Sequence, residues 1–222
     1  MDSEQLKGQI LEWGASLVGF ADMEAILPQR WKTTPFGISI AVRLSDNIMD
    51  EIETSPTLLY ASHYRIVNEF LDSIALKTVN LLQSGNHQAL AIPASQIVNA
   101  KDHLGDISHK MVATSAGLGW IGKNVLLVTP HFGPRVRLVS VFTDAPLRTA
   151  APIAESNCGK CRACVVACPV KALHGTHWTT NSKRADLFEI ARCYEQITHN
   201  KGLVGEQICG VCIRACPVGK SK

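Results

Sequence analysis

The sequence predicts an α+β protein in two consecutive parts, a sheet domain over residues 1–148 and a small cysteine-rich module over residues 149–222. Three observations predict it. The first 157 of the 222 residues contain no cysteine, and all eight cysteines follow. Short β-branched runs alternate with helical patterns and with one turn placed for a hairpin, which is the mixture of an α+β sheet and not of a doubly wound parallel one. The cysteines stand at two related spacings, each closed by Cys-Pro.

Taken in order, Ser3 can cap a helix to about Trp13, with Leu6, Ile10 and Leu11 on one face and Gly14 as its stop. Ala15 to Phe20 is short and apolar enough for a strand, and Gly37 to Leu44 is a better one. A polar, acidic stretch from Ser45 to Ser55 follows. Apolar residues then recur at threes and fours from Thr57 to Leu82, the longest helical pattern of the chain, until Ser84-Gly85-Asn86 ends it. Ala89 to Pro93 reads as a strand, and Ser108 to Ala116 as a helix closing on Gly117. Asn124 to Thr129 and Val136 to Phe142 read as two strands joined through Pro130 and Gly133-Pro134, a hairpin. Pro146, Pro152 and the stretch from Thr149 to Ala154 supply a linker. Beyond it, a helix is expected to begin within Cys164 to Leu173, and Arg184 to His199 to contain a second that carries Cys193 inward.

Cys158, Cys161, Cys164 and Cys168 form C-x2-C-x2-C-x3-C-P, the spacing of a bacterial four-iron cluster. Three thiolates reach one cubane from a tight loop, and the outlying fourth serves a partner cluster. The partner motif is Cys209, Cys212 and Cys216 before Pro217, with Cys193 upstream. Exchanging the Cys-Pro ligands assigns Cys158, Cys161, Cys164 and Cys216 to one [4Fe-4S] cluster. Cys193, Cys209, Cys212 and Cys168 then hold the other. Zinc knuckles compete for eight thiolates but ordinarily come as two separate C-x2-C pairs. A disulfide framework needs an oxidising compartment.

The start, Met1 to Lys7, has neither the basic nor the apolar segment of a secretory signal, and no run approaches a membrane span. A cytoplasmic, reducing, anaerobic setting without membrane contact is expected. A net charge of +3 is too mild to argue for a nucleic-acid surface. Gly117-Leu-Gly119-Trp-Ile-Gly122 matches the dinucleotide fingerprint in letters, but that site needs a strand before and a helix after, and here the order is reversed. A helix cap with a tight turn, or close approach to a flat cofactor beside Trp120, are the readings left.

Ala116-Gly-Leu-Gly-Trp-Ile-Gly-Lys-Asn124, Gly133-Pro-Arg-Val-Arg-Leu138, Thr143-Asp-Ala-Pro-Leu147, the cysteine motifs and Arg192-Cys193 recur in one order. Over about Tyr60 to Val218 this combination resembles the epoxyqueuosine reductase family and, more distantly, the catalytic half of reductive dehalogenases. The resemblance implies a nitroreductase-like, corrinoid-binding sheet domain followed by a ferredoxin-like module with two [4Fe-4S] clusters that feed electrons to cobalamin. It implies a low-potential donor of ferredoxin or flavodoxin type. Around the corrin it would place Gly117, Gly119, Trp120, Gly122, Lys123 and Asn124, with Lys123 meeting a phosphate.

Departures from the family pattern shape three further expectations. The helical-repeat region that grips transfer RNA in the family does not follow Cys216, so transfer RNA is not expected as a partner. A small-molecule substrate or another corrinoid protein is expected instead. The family's proton-donating Asp would fall on His103 by ungapped counting, and Asp106 and His109 are the acids expected in its place. Rival readings are an electron carrier that re-reduces another corrinoid enzyme and a reductase holding FMN on the same fold. His174, His177 and His199 near the cluster loops are candidates for tuning hydrogen bonds or plain solvated residues.

Overall fold

The computed structural model describes residues 2–96 and 105–220; His103 lies outside them. Its elements run α1 (Ser3–Glu12), β1 (Leu17–Asp22), a 3-10 turn (Gln29–Trp31), β2 (Phe36–Arg43), α2 (Asp46–Asp50), α3 (Leu58–Ser84) and β3 (Ala89–Ile92). They continue with α4 (His109–Ser115), β4 (Trp120–Ile121), β5 (Leu127–Val128) and β6 (Val136–Thr143). Last come α5 (Ala163–Ala167), α6 (Arg184–Leu187), α7 (Ile190–Val204) and α8 (Val211–Ala215). The class is α+β, as the sequence predicts.

The chain divides into two compact units, each built from separate stretches of sequence. One unit comprises Met1–Arg43, Val67–Leu118 and Arg137–Ile153; the other comprises Leu44–Ile66, Gly119–Val136 and Ala154–Lys222. Long-range contacts draw the two earlier segments to the cysteine-rich part. Helix α2 packs on α8, and the Leu44 amide donates to the Arg135 carbonyl at 2.8 Å. Such contacts leave no trace in composition.

In the first unit a four-stranded sheet has the order β1-β2-β6-β3. β1 and β2 are antiparallel with Leu17 opposite Ala41, and β3 and β6 are antiparallel with Ala89 opposite Thr143. The cap of α1 is Asp2, not Ser3. Its carboxylate accepts from the Gln5 amide while the Gln5 side chain accepts from the Asp2 amide. Ser3 Oγ instead accepts from the Arg148 amide at 2.8 Å. The core gathers Ala21, Met23, Leu27, Ile92, Val112, Ala116 and Phe142. Each large side chain in it contributes about 1.5–3 kcal/mol relative to exposure. Gly37 is required there, because a Cβ would press on Met23, Val112 and Phe142.

Helix α4 ends in a Schellman motif. The Gly117 amide donates to the Thr114 carbonyl and the Leu118 amide to the Ala113 carbonyl, with Gly117 left-handed at φ +69°. The first glycine of the fingerprint-like run is thus a helix stop, followed by strand β4, which is the reverse of a dinucleotide site.

In the second unit β4 and β5 form a short hairpin, with Trp120 opposite Val128 and Ile121 opposite Leu127. The expected hairpin of Asn124–Thr129 with Val136–Phe142 is not formed. The turn between them is real, since Thr129 and Gly133 exchange two backbone bonds of 2.9 Å. Beyond it, however, β6 takes its place between β2 and β3, while β5 is already paired with β4. The helix expected within Cys164 to Leu173 is α5, which stops at Ala167, because Cys168 precedes proline and is extended. The helix expected within Arg184 to His199 is α7, and the short α6 before it ends at Phe188, which is extended and bridges Leu173.

Candidate functional site

Helices α5 and α8 pack against each other, and each ends at a Cys-Pro with the same extended cap. Cys168 has φ −62°, ψ 116°, and Cys216 has φ −66°, ψ 128°. Packing two such helices together carries the terminal cysteine of each toward the loop that precedes the other. The eight cysteines are all free thiols, and they fall into two neighbourhoods. Burial pushes the Cys164 thiol up to about 11, and its thiol neighbours Cys216, Cys158 and Cys161 push it the same way. Burial also raises Cys216, again with Cys158 and Cys161 beside it. Cys212 is raised by burial, with Cys209, Cys193, Cys164 and Cys168 around it, and Cys209 is raised by burial with Cys168 nearby. The neighbourhoods touch through Cys164 and Cys212. Among the described residues no group of three or more His, Cys, Asp or Glu side chains is placed to hold a metal ion.

Lys123 stands at the tip of the β4–β5 hairpin and is buried. Its Nζ donates to the carbonyls of Gly159 at 2.7 Å and Cys161 at 3.1 Å. Lys123, expected to meet a cofactor phosphate, here has its ammonium bonded to the first cysteine loop. Gly119 and Gly122 are also explained locally. A Cβ on Gly119 would strike the Val128 backbone, and one on Gly122 would strike the Val128 and Asn124 side chains, so these glycines let the hairpin close. Trp120 Nε1 and Asn124 Nδ2 differ, since both are buried without a hydrogen-bond partner. Asn124 Oδ1 accepts from the Leu126 amide at 3.2 Å. Two orphaned donors on one hairpin are what a ligand rich in carbonyl or phosphate oxygens would satisfy.

The two expected acids are both engaged. Asp106 is ion-paired with Arg30. His109 Nε2 lies 3.0 Å from the Pro93 carbonyl, which can only accept, so Nε2 carries the proton and Nδ1 accepts from Ser140 Oγ at 2.8 Å. Burial, with Arg137 nearby, lowers the His109 pKa, against the Pro93 bond and Asp72, which raise it. His109, expected as an acid, thus has both nitrogens hydrogen-bonded within the sheet unit.

Several residues around the thiols escaped the sequence reading. Gly210 is left-handed at φ +86°, with Ile52 and Tyr60 where a Cβ would go; only its position between Cys209 and Val211 marked it. Arg184 sits beside Cys193, whose thiolate favours its charge against the lowering effect of burial. His177 Nε2 lies 3.0 Å from the Gly159 carbonyl and His174 Nδ1 3.3 Å from the Asp186 carbonyl, so both address backbone.

These features define an iron-sulfur protein with a double-cluster module. Residues 157–219 match the family described as 4Fe-4S double cluster binding domain. The chain is also similar to epoxyqueuosine reductases, as its motifs imply. It is 35% identical to the enzyme of Listeria monocytogenes over 125 residues, which is 52% of this chain and 31% of that protein. It is 26% identical to the enzyme of Pseudomonas aeruginosa over 183 residues, 78% of this chain and 47% of that protein. The chain thus spans between about a third and a half of the curated relatives it matches. Among solved structures, the catabolic reductive dehalogenase NpRdhA with 3-bromo-4-hydroxybenzoic acid superposes at TM-score 0.74 and 19% identity, covering 98% of this chain and 32% of that one. An epoxyqueuosine reductase bound to an epoxyqueuosine-modified transfer-RNA stem loop superposes at 0.64 and 21%, covering 99% and 65%. At these identities the likeness concerns the fold. The expectation that transfer RNA is no partner is contradicted here: the curated relatives are named epoxyqueuosine reductases, and one such reductase was solved with an epoxyqueuosine-modified transfer-RNA stem loop. No helix among the described residues is long and apolar enough to cross a membrane.

Proposed function

We propose that this chain is an iron-sulfur oxidoreductase of the epoxyqueuosine-reductase type, in which two [4Fe-4S] clusters relay single electrons toward a corrinoid that reduces a transfer-RNA nucleoside. The observation that carries the reading is the division of eight free thiols into two neighbourhoods of four. On it, Cys158, Cys161, Cys164 and Cys216 hold one cluster, and Cys193, Cys209, Cys212 and Cys168 hold the other. Free thiols suit a reducing cytoplasm.

When bound, a corrinoid supplies a low-valent cobalt centre strong enough to reduce an epoxide. Trp120 Nε1 and Asn124 Nδ2, the orphaned donors, are the atoms proposed to meet its peripheral oxygens. Gly119 and Gly122 shape the hairpin that presents them. Asp106 is the proposed proton donor, provided Arg30 releases it; His109 holds the sheet. A second reading, electron relay to a separate corrinoid protein, is favoured by one observation, the engagement of both Asp106 and His109.

The test is anaerobic purification from cobalamin-supplied cells, followed by assay of iron, sulfide, cobalt and flavin and of turnover on an epoxyqueuosine-modified stem loop. Stoichiometric cobalt with conversion of the stem loop is the expected result. Clusters without cobalt leave the electron carrier, and yellow FMN without cobalt leaves the flavin reductase.

A further inference from the structure

We propose that Lys123 is a positioning residue for the first cysteine loop, ordering its backbone and fixing a positive charge beside the cluster that loop binds. The inference rests on the two-cluster reading.

Four observations support it. Lys123 is 5% exposed, so its ammonium has exchanged water for protein, and the carbonyls of Gly159 and Cys161 replace that water. These carbonyls belong to the peptides just after Cys158 and at Cys161 itself. In a trans peptide the C=O and the next N–H point to opposite sides. Tethering the two carbonyls therefore fixes which way the Lys160 and Arg162 amides face, away from the lysine. Gly159 is left-handed at φ +52° with nothing within 4 Å of where a Cβ would lie, so no side chain packs against the turn at that point and its hydrogen bonds fix its orientation. His177 supplies a second bond to the same carbonyl at 3.0 Å. The hairpin tip that carries Lys123 also holds Val125 at φ +60°. A β-branched residue is costly there, and such strain persists where the surroundings fix the backbone for a purpose.

Charge gives the second consequence. Reduction adds an electron to a cluster that already carries four thiolates. A buried ammonium against the same loop stabilises the more negative state and raises the potential, as net charge and hydrogen bonding do in iron-sulfur sites generally. The other cluster has a different cation beside it, Arg184 next to Cys193, so the two potentials are set separately.

The experiment compares wild type, Lys123→Met, Lys123→Gln and Lys123→Arg, reconstituted anaerobically, by EPR-monitored redox titration and by the rate of iron release to a chelator. In Lys123→Met one titration wave is expected to move to lower potential while the other stays. Iron release should quicken about tenfold, as loss of a charge-assisted hydrogen bond implies. Lys123→Gln keeps a donor and loses the charge, so it should show the potential shift with a smaller change in release; it carries the test if Lys123→Met does not fold. Lys123→Arg should restore the wave. Two waves that stay put in both uncharged variants, or move together, overturn the role of Lys123. Wild-type protein without cubane signals overturns the two-cluster reading instead.

Discussion

Arg135 Nη1 donates to Asp46 Oδ1 at 2.9 Å, and its Nη2 donates to Asp50 Oδ1 at 2.6 Å. The Arg135 side chain is 1% exposed while the carboxylates reach solvent at 20% and 56%. The pair is therefore asymmetric. Removing the arginine frees two carboxylates that water can serve; removing both carboxylates strands a buried guanidinium whose Nε is already unpartnered. The double variant Asp46→Ala/Asp50→Ala should lose more stability than Arg135→Met, because it leaves the buried charge without either carboxylate. Chemical denaturation of the three proteins decides it; equal losses would refute the asymmetry.

Gly210 links the second cysteine loop to α8 and is the cap residue of that helix. Its left-handed backbone disfavours any L side chain by about 1–2 kcal/mol. An alanine Cβ would also lie 2.6 Å from Ile52 Cδ1 and 2.9 Å from Tyr60 Cε1. Because Cys209 and Cys212 flank this turn, Gly210→Ala should weaken one cluster in preference to the other. Bound iron should fall toward half with one EPR signal retained. Full iron content would show that the turn tolerates the methyl group.

What the sequence made legible was local. Cysteine spacing is fixed within one turn of chain, so the two motifs could be read directly, and helices α3 and α4 followed from periodicity. Pairing was less legible. Pro130 and Gly133-Pro134 do make a turn, but which strand lies beside Val136–Thr143 depends on β2 and β3, far away in the chain. Lys123 shows the same limit, since its acceptors lie 36 and 38 residues downstream. Next to a glycine run it looked like a cofactor ligand. Helix α2 was missed because five polar-rich residues carry too little periodicity to declare themselves.

Burial lowers the His109 pKa below its ordinary 6.5. The unfolded chain then binds a proton at pH values where the folded chain does not, so the stabilisation is complete above pH 6.5 and is lost as pH falls toward the folded value. His63, lowered by burial and accepting from the Ser45 amide at 3.0 Å, acts in the same direction. Melting temperature should drop on acidification from neutral pH. Replacing His109 by Gln should flatten part of that slope while lowering stability at pH 8. A slope unchanged by the substitution would place the proton uptake elsewhere.

The exchange of Cys-Pro ligands is the prediction with the sharpest outcome. If each loop kept its own fourth cysteine, Cys168→Ser would damage the same cluster as Cys158→Ser, because both lie in one motif. The α5–α8 packing argues otherwise: Cys168 stands near Cys212 and Cys209, and Cys216 near Cys164, Cys158 and Cys161. Cys168→Ser should therefore leave the residual signal that Cys209→Ser leaves, and Cys216→Ser the one that Cys158→Ser leaves. Sequence distance predicts one pairing of the four spectra and spatial neighbourhood the other, and a serine ligand that still holds iron would shift a signal without changing which pair it belongs to. Spectra grouped by motif would overturn the exchange while leaving two clusters in place.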